Sequence, residues 1–405
     1  MAMDDRDWLQ FGVVYFGNSW YAENRTSSHH VANRLARLTP VLYVDSPGMR
    51  APTMNGRDFR RIWQTLLNTF SRPRPLAHNL WHCTVAQLPM RRLPGVEALN
   101  RIFGKWAVKR AMRHIGLKRP VAWFVVPHPG FLTGRLGESL CVYYCTDDYA
   151  AHPGVDSVRI AASDDALTRS ADLVFVVPPA LLESKRRQNP SATFAPHGVD
   201  ADHFALARES STPLPESLPS LRKPVVGYIG SLHAWIDFGL IAWLASQRPQ
   251  WDFLLVGHAH TEVDALRELS NVHLVGAQPY EDLPRWAKVF DAAIIPYRDN
   301  RQITNANPLK LREYLAAGLP VVSTRNPEIE SFSHLVHIHD DREGFLASLD
   351  AVVATPVDED AGRRMAAVAS QTWDRRVDNV VEQVRLAFRA KVLAMQSDIK
   401  ETPLA

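Results

Sequence analysis

The chain reads as an α/β protein made of two doubly wound domains, each built on a parallel sheet. Three observations predict this. Strand-like apolar runs alternate with helix-period patterns along nearly the whole chain, the pattern of layered α/β folds. Runs such as "FGVVYFG", "DLVFVVP" and "AAIIPY" are apolar almost throughout, as strands covered on both faces must be. The stretch "ARESSTPLPESLPSLRKP", rich in Ser and Pro, breaks the alternation near the middle and reads as a linker.

Taken in order, the first half offers "FGVVYFG", "PVLYVDS", "VAWFVVP", "LCVYYCT", "DLVFVVP" and "TFAPHGV" as strands. The second half offers "PVVGYIGS", "DFLLVGH", "VHLVGA", "AAIIPY", "LPVVST" and "VHIHD". "TWDRRVDNVVEQVRLAFRAKV" has the period of one long amphipathic helix, and "QSDIKETPLA" reads as a frayed end. The expected division is an N-terminal domain over 1–203, a linker over 204–223, a C-terminal domain over 224–370, and a helix over 371–396 packing back on the N-terminal domain. Doubly wound sheets bind ligands at the carboxyl ends of their strands, so the site is expected there, in a cleft between the domains.

Composition bounds the class. At 405 residues, 46% hydrophobic and 22% charged, the chain is an ordinary globular one. Its first residues, "MAMDDRDWLQ", are acidic where a secretory leader is basic, and no run nears the roughly 18 apolar residues of a membrane span. A cytoplasmic protein is expected. Cys83, Cys141 and Cys145 have no metal-ligand spacing and read as core residues. The net charge of +3 hides an asymmetry: residues 57–119 hold fourteen Lys or Arg against Asp58 and Glu97, near +12, which leaves the remainder near −9. This segment is threaded with Trp63, Leu66, Leu67, Phe70, Leu80, Trp81, Leu93, Ile102, Phe103 and Trp106, a mixture that suits an anionic membrane surface better than DNA. A basic surface helix over an ordinary core is the plainer alternative. No nucleic-acid motif is found, and no such partner is expected.

Chemistry concentrates in a few stretches. In "NPLKLREYLAAGLPVV" Asn307 suits an N-cap and Pro308 the first helical position. Lys310 would then lie in the first turn, where a cation is unwelcome unless an anion such as a phosphate offsets it. Glu313, one turn on, has the reach to accept hydrogen bonds from two vicinal hydroxyls, as on a ribose. A surface ion pair between the two is the competing reading. "GYIGSLHAW" sets Gly230 and Ser231 between a strand and a helix, where bare backbone can approach a phosphate; a plain tight turn looks the same. Neither GxGxxG nor a GxxxxGK[ST] loop occurs, against a dinucleotide oxidoreductase and a P-loop NTPase. "CVYYCTDDYAAH" ends a buried strand with Asp147 and Asp148, candidates for a general base or for turn residues. In "NRTSSHHVANRLA", Arg25 and His29 read as acceptor-side residues or as part of a helix start capped by Thr26 or Ser27.

The ordered set "GYIGSLHAW", "LLVGHAH", "NVHLVGAQPYEDLPRWAKVFDAAIIPYRDN" and "NPLKLREYLAAGLPVVST" resembles the donor-binding domain of GT-B glycosyltransferases. "VLYVDSPG", "VYYCTDDY", "ADLVFVVPPALLESK" and "HGVDADHF" extend the resemblance more loosely to the first half. It looks closest to bacterial transferases of envelope and exopolysaccharide sugars, the glucuronosyltransferases among them. The resemblance implies that Glu313 binds the ribose of a nucleotide-sugar, that Lys310 binds its diphosphate, that Gly230 and Ser231 meet the pyrophosphate, and that Tyr297 lies beside the donor, with Asn307 on the same side. Asp147 matches the base of inverting members. Two departures weigh against the retaining branch: Asn305 stands where many members carry a second glutamate, and His233 and Asp237 stand near the position of a missing Arg and Lys pair. His233 is a candidate donor to a phosphate oxygen or a structural histidine.

The implied activity is sugar transfer from a nucleotide-sugar donor, UDP-linked by preference, to a lipid-linked or polysaccharide acceptor, with inversion, without an obligatory metal or cofactor, at the inner face of the plasma membrane. A nucleotide-sugar epimerase of the same fold and a non-catalytic sugar-nucleotide-binding scaffold are the alternatives.

Overall fold

The computed structural model describes residues 12–22, 25–45, 69, 71–85 and 95–401, with side chains to Lys391. The chain forms two compact units, one of residues 1–22, 26–196 and 377–405, the other of residues 23–25 and 197–376.

The first unit is built on an eight-stranded sheet. Its strands are β1 (Val13–Gly17), β2 (Val41–Asp45), β3 (Arg74–Ala77), β4 (Leu80–Thr84), β5 (Val121–Phe124), β6 (Leu140–Cys145), β7 (Leu173–Val176) and β8 (Thr193–Phe194), in the spatial order β3-β4-β2-β1-β5-β6-β7-β8. All pairs are parallel except β3 with β4. Alternation along each strand gives the sheet two different faces. One is mainly aliphatic, with Val14, Leu42, Val44 and Ala122 packed among Val108 and Met112 of the helix Val96–His114. The other carries an aromatic row across neighbouring strands: Tyr43 and Tyr15 lie 5.3 Å apart, and Tyr15–Trp123 and Trp123–Tyr144 are each 6.1 Å apart.

The second unit holds a six-stranded parallel sheet of β9 (Val225–Ile229), β10 (Asp252–Val256), β11 (Val272–Gly276), β12 (Ala292–Ile295), β13 (Val321–Thr324) and β14 (Val336–His339), ordered β11-β10-β9-β12-β13-β14. These are the six apolar runs of the second half. The chain winds outward from β9 through β10 to β11, then returns to β12 on the opposite side of β9. The switch point of this sheet is therefore the gap between β9 and β12, and the ligand site of such a fold lies at their carboxyl ends.

Several expectations are corrected. The stretch 204–223 is no free linker: the division falls at Pro196/His197, and the stretch lies within the second unit. Phe204 and Ala207 enter the core and Leu218 and Leu221 pack against it. Lys288 Nζ donates to the carbonyls of Glu209 (2.5 Å) and Thr212 (2.7 Å), so these backbone groups are satisfied without water. The last helix, Trp373–Glu401, is shared between the units, because Trp373 is buried in the second while Val377, Val380, Val384 and Phe388 are buried in the first. Of the basic segment, residues 57–68, 70 and 86–94 lie outside the described residues, Trp63, Leu66, Leu67, Phe70 and Leu93 among them. Leu80 is fully buried and the half-buried Trp81 packs on the core, because both sit on β4 inside the sheet.

Candidate functional site

The helix Leu309–Ala316 starts one residue later than expected, with Pro308 at the N-cap in an extended conformation (ψ 117°). Asn307 is not the cap. Its side chain is turned inward, 6% exposed, and its Oδ1 accepts from Arg312 Nη1 at 2.9 Å. Arg312 also donates from Nε to Gln371 Oε1 (3.0 Å) and pairs with Glu328, and both members of that ion pair are buried. A buried guanidinium with three acceptors fixes the start of this helix to two later segments. Tyr314 fixes it to the sheet, because the N–H of Ile229 donates to its hydroxyl at 2.7 Å.

Lys310, in the first turn, lies against the carboxyl ends of β9 and β12. Its Nζ donates to Tyr297 Oη at 2.8 Å and lies 5.1 Å from the ring centre of Tyr297 and 5.3 Å from that of Tyr228. Burial opposes its charge, but the oxygens of Tyr228, Tyr297 and Tyr314 and the hydrogen bond to Tyr297 outweigh that, and its pKa is raised. The cation is held in place, at the switch point. Gly230 adjoins it with φ +145°, and a Cβ there would lie 3.0 Å from Tyr228 Oη and 3.1 Å from Lys310 Cε. Gly257 brings a second strand end close: a Cβ on it would come within 2.0 Å of the Gly230 carbonyl oxygen. Only bare backbone fits here, which leaves the loop after β9 open to a phosphate. Ser231 follows, its carbonyl accepting from Tyr228 Oη at 3.1 Å.

Glu313 lies one turn beyond Lys310, half-buried. Burial pushes its carboxyl up to about 7; Lys310 acts to lower it and Asp200 to raise it. Asp200 accepts from Tyr280 Oη at 2.9 Å, and His203 stacks on the Tyr280 ring at 4.9 Å. Arg25 lies over the same Tyr280 ring, 5.0 Å from its centre, and pairs with Glu281 at 2.5 Å, so the second unit gathers it in. His233 stacks between Trp235 (4.0 Å) and His260 (4.1 Å) beside the loop after β9.

In the first unit Asp147 lies two residues past the carboxyl end of β6. It caps no helix: Asp148 stands at the N-cap of the short 3-10 helix Tyr149–Ala151, and Asp156 at that of the α-helix Ser157–Ser170. Its Oδ1 accepts from the N–H of Asp148 and its Oδ2 from His152 Nε2, both at 2.8 Å, and its side chain is 27% exposed. Sequence reasoning did not assign His152 a role. A carboxylate paired with an imidazole can take a proton and share it. His29 is instead a structural residue: Nδ1 accepts from the Thr26 N–H at 3.0 Å and Nε2 donates to the Trp20 carbonyl at 2.9 Å. The helix-start alternative for this segment is the one its hydrogen bonds follow. Tyr228, Asp200 and Tyr280 also escaped the sequence reading of the site. Among the described residues, no group of three or more His, Cys, Asp or Glu is placed to hold a metal ion.

Comparison with known proteins bears on the fold and the family. Residues 223–356 match the family described as glycosyl transferases group 1. A putative teichuronic acid biosynthesis glycosyltransferase of Bacillus subtilis (strain 168), TuaH, is 26% identical over 282 residues, 64% of this chain and 70% of that protein. Among solved structures, the sucrose-phosphate synthase of Thermosynechococcus elongatus superposes with a TM-score of 0.69 at 15% identity, covering 94% of this chain and 100% of that one. An E. coli trehalose-6-phosphate protein bound with UDP-2-fluoro glucose gives 0.65 at 10% identity, covering 92% and 99%. HepE of Anabaena, in complex with UDP and glucose, gives 0.61 at 14%, covering 92% and 98%. The solved structures establish the fold, GT-B, and residues 223–356 match a group 1 glycosyl transferase domain, so the resemblance read from the sequence is borne out in the fold and in the domain that carries Lys310 and Glu313.

Proposed function

We propose that this protein is a glycosyltransferase that moves a sugar from a UDP-sugar to a lipid-linked or polysaccharide acceptor in bacterial envelope synthesis, with inversion, at the inner face of the plasma membrane. One observation carries the donor half: the Lys310 ammonium, held by Tyr297 and Tyr228 beside the bare backbone of Gly230, at the switch point between β9 and β12. A nucleoside diphosphate supplies the anion that this cation and the free N–H groups of its helix attract. With that countercharge in place, no metal ion is required. Glu313 takes the ribose hydroxyls. UDP is preferred because two similar structures were solved with UDP or a UDP-sugar, and the envelope role because TuaH is named for teichuronic acid biosynthesis.

The first unit supplies the base. As the acceptor oxygen attacks the anomeric carbon and the bond to the diphosphate oxygen breaks, the hydroxyl proton passes to the Asp147 carboxylate, with His152 hydrogen-bonded to its other side. Lys310 and the loop after β9 hold the departing diphosphate. A hexose or a hexuronic acid is the moving group.

The test is Asp147→Asn. Its transfer rate is expected to fall about 10²- to 10⁴-fold, the usual share of a general base, with UDP-sugar affinity unchanged. Undiminished transfer removes Asp147 from this role. Turnover of the donor without any acceptor makes the chain an epimerase, and donor binding without turnover makes it a scaffold.

A further inference from the structure

The helix Val96–His114 is amphipathic twice over. Its inner face buries Asn100, Gly104, Ala107, Val108, Ala111 and Met112. At 3.6 residues per turn, Leu99, Ile102, Phe103, Trp106, Lys109, Arg110 and Arg113 fall within about 60° of Trp106 on the opposite side. The first two turns of that outer stripe are apolar: Leu99 is 56%, Ile102 67% and Trp106 40% exposed, and Phe103 stacks on Trp106 at 5.7 Å. Its last turns are cationic, and Lys118 and Arg119 follow directly, both exposed. Lone exposed apolar residues are ordinary on any surface, but three sharing one stripe with a run of cations are not.

We propose that this face lies on an anionic phospholipid surface, with Leu99, Ile102 and Trp106 entering the boundary between headgroups and acyl chains and Lys109, Arg110 and Arg113 against the lipid phosphates. The proposal rests on the membrane-facing reading above and narrows it to one helix face. Charge complementarity selects the occupant. The helix has five Lys or Arg, namely Arg101, Lys105, Lys109, Arg110 and Arg113, against the single acid Glu97. That acid is already engaged by Arg101 at 2.6 Å and Arg159 at 3.1 Å, so it offsets none of the cations on the stripe. A Trp between an apolar and a cationic half is the side chain expected at a lipid interface. No helix among the described residues is long and apolar enough to cross a membrane, so the contact is with the surface.

The test is cosedimentation of the full chain with vesicles of phosphatidylcholine alone or with about one third phosphatidylglycerol, for the wild type and two surface variants. UDP-sugar-induced thermal stabilisation serves as the control for folding. The wild type is expected to bind the anionic vesicles and not the neutral ones. Lys109→Gln/Arg110→Gln/Arg113→Gln should lower partitioning by about two orders of magnitude, since each cation near such a surface adds roughly tenfold or less. Leu99→Ser/Ile102→Ser/Trp106→Ser should bind weakly at low salt and detach at moderate salt, with stabilisation by donor unchanged in both variants. If both variants bind as the wild type does, the helix assignment is overturned while the membrane reading survives. If the wild type ignores anionic vesicles, both fail, and the donor reading is untouched. A wild-type dimer in vesicle-free solution that the apolar variant disperses makes the occupant a second copy of this chain and likewise overturns the proposal.

Discussion

Lys310 and Glu313 are three residues apart on one helix, and both pKa values are raised by different causes: burial lifts the carboxyl, whereas tyrosine oxygens lift the ammonium against the effect of burial. For the lysine this keeps the cation that a diphosphate needs. For Glu313 the consequence is a dependence on pH. Its folded pKa near 7 lies above the ordinary value of 4.5, so between those values the native state holds a proton that the unfolded chain has released. Stability of the ligand-free protein should therefore fall as pH rises through that window, and Glu313→Gln should remove the slope. Ribose hydroxyls donate best to the ionised carboxylate, so UDP-sugar affinity, measured by calorimetry, is expected to rise between about pH 6 and 8 in the wild type and to stay flat in Glu313→Gln. A flat wild-type profile contradicts the assignment. These two residues were legible because a helix start announces an anion site within a few positions of sequence. His152 was not, since an imidazole five residues past Asp147 follows no period and only the turn after β6 brings them together. Asp200 and Tyr280 reach the neighbourhood of Glu313 from two distant segments, and nothing local marks either one.

The strands of the second unit could be read directly, because parallel strands covered on both faces are continuous apolar runs. In the first unit β3 and β4 were missed: β3 is an exposed edge with Arg74 and Pro75, and β4 is hidden in a basic stretch whose composition dominated its period. The start of the donor helix shows a different failure. Local rules favoured Asn307 as its cap, but tertiary contact with Arg312 drew that side chain inward. Arg312 itself read as an ordinary helix residue, since Glu328 and Gln371 lie in later segments. Arg312→Leu would strand the buried Glu328 and is expected to cost about 3–5 kcal/mol, a drop in Tm of roughly 6–20 °C. Adding Glu328→Leu should recover much of the loss. Thermal melts of the single and double variants decide this, and an unchanged Tm in the single variant removes Arg312 from its anchoring role.

At the scale of the whole molecule, the sequence conveyed two α/β units but set their boundary late, because a stretch rich in Ser and Pro looks like a tether whether or not Lys288 pins its carbonyls. The final helix carries Val377, Val380, Val384 and Phe388 into the core of the first unit, and Lys391 pairs with Asp172 at 2.8 Å. Each of those apolar side chains is worth about 1.5–3 kcal/mol when buried. A chain ending at Arg376 should thus lose an amount comparable to the stability of a whole domain, and its first unit should unfold or aggregate while the second keeps a cooperative melt. Retention of two native transitions by calorimetry would refute this. The roles of Lys310, Gly230 and Glu313 all depend on where the donor diphosphate sits. An experimental structure with a UDP-sugar bound decides it most directly: diphosphate oxygens are predicted within about 3 Å of Lys310 Nζ and against the backbone of Gly230 and Ser231, whereas a diphosphate bound elsewhere, with Lys310 still held only by Tyr297, would contradict it.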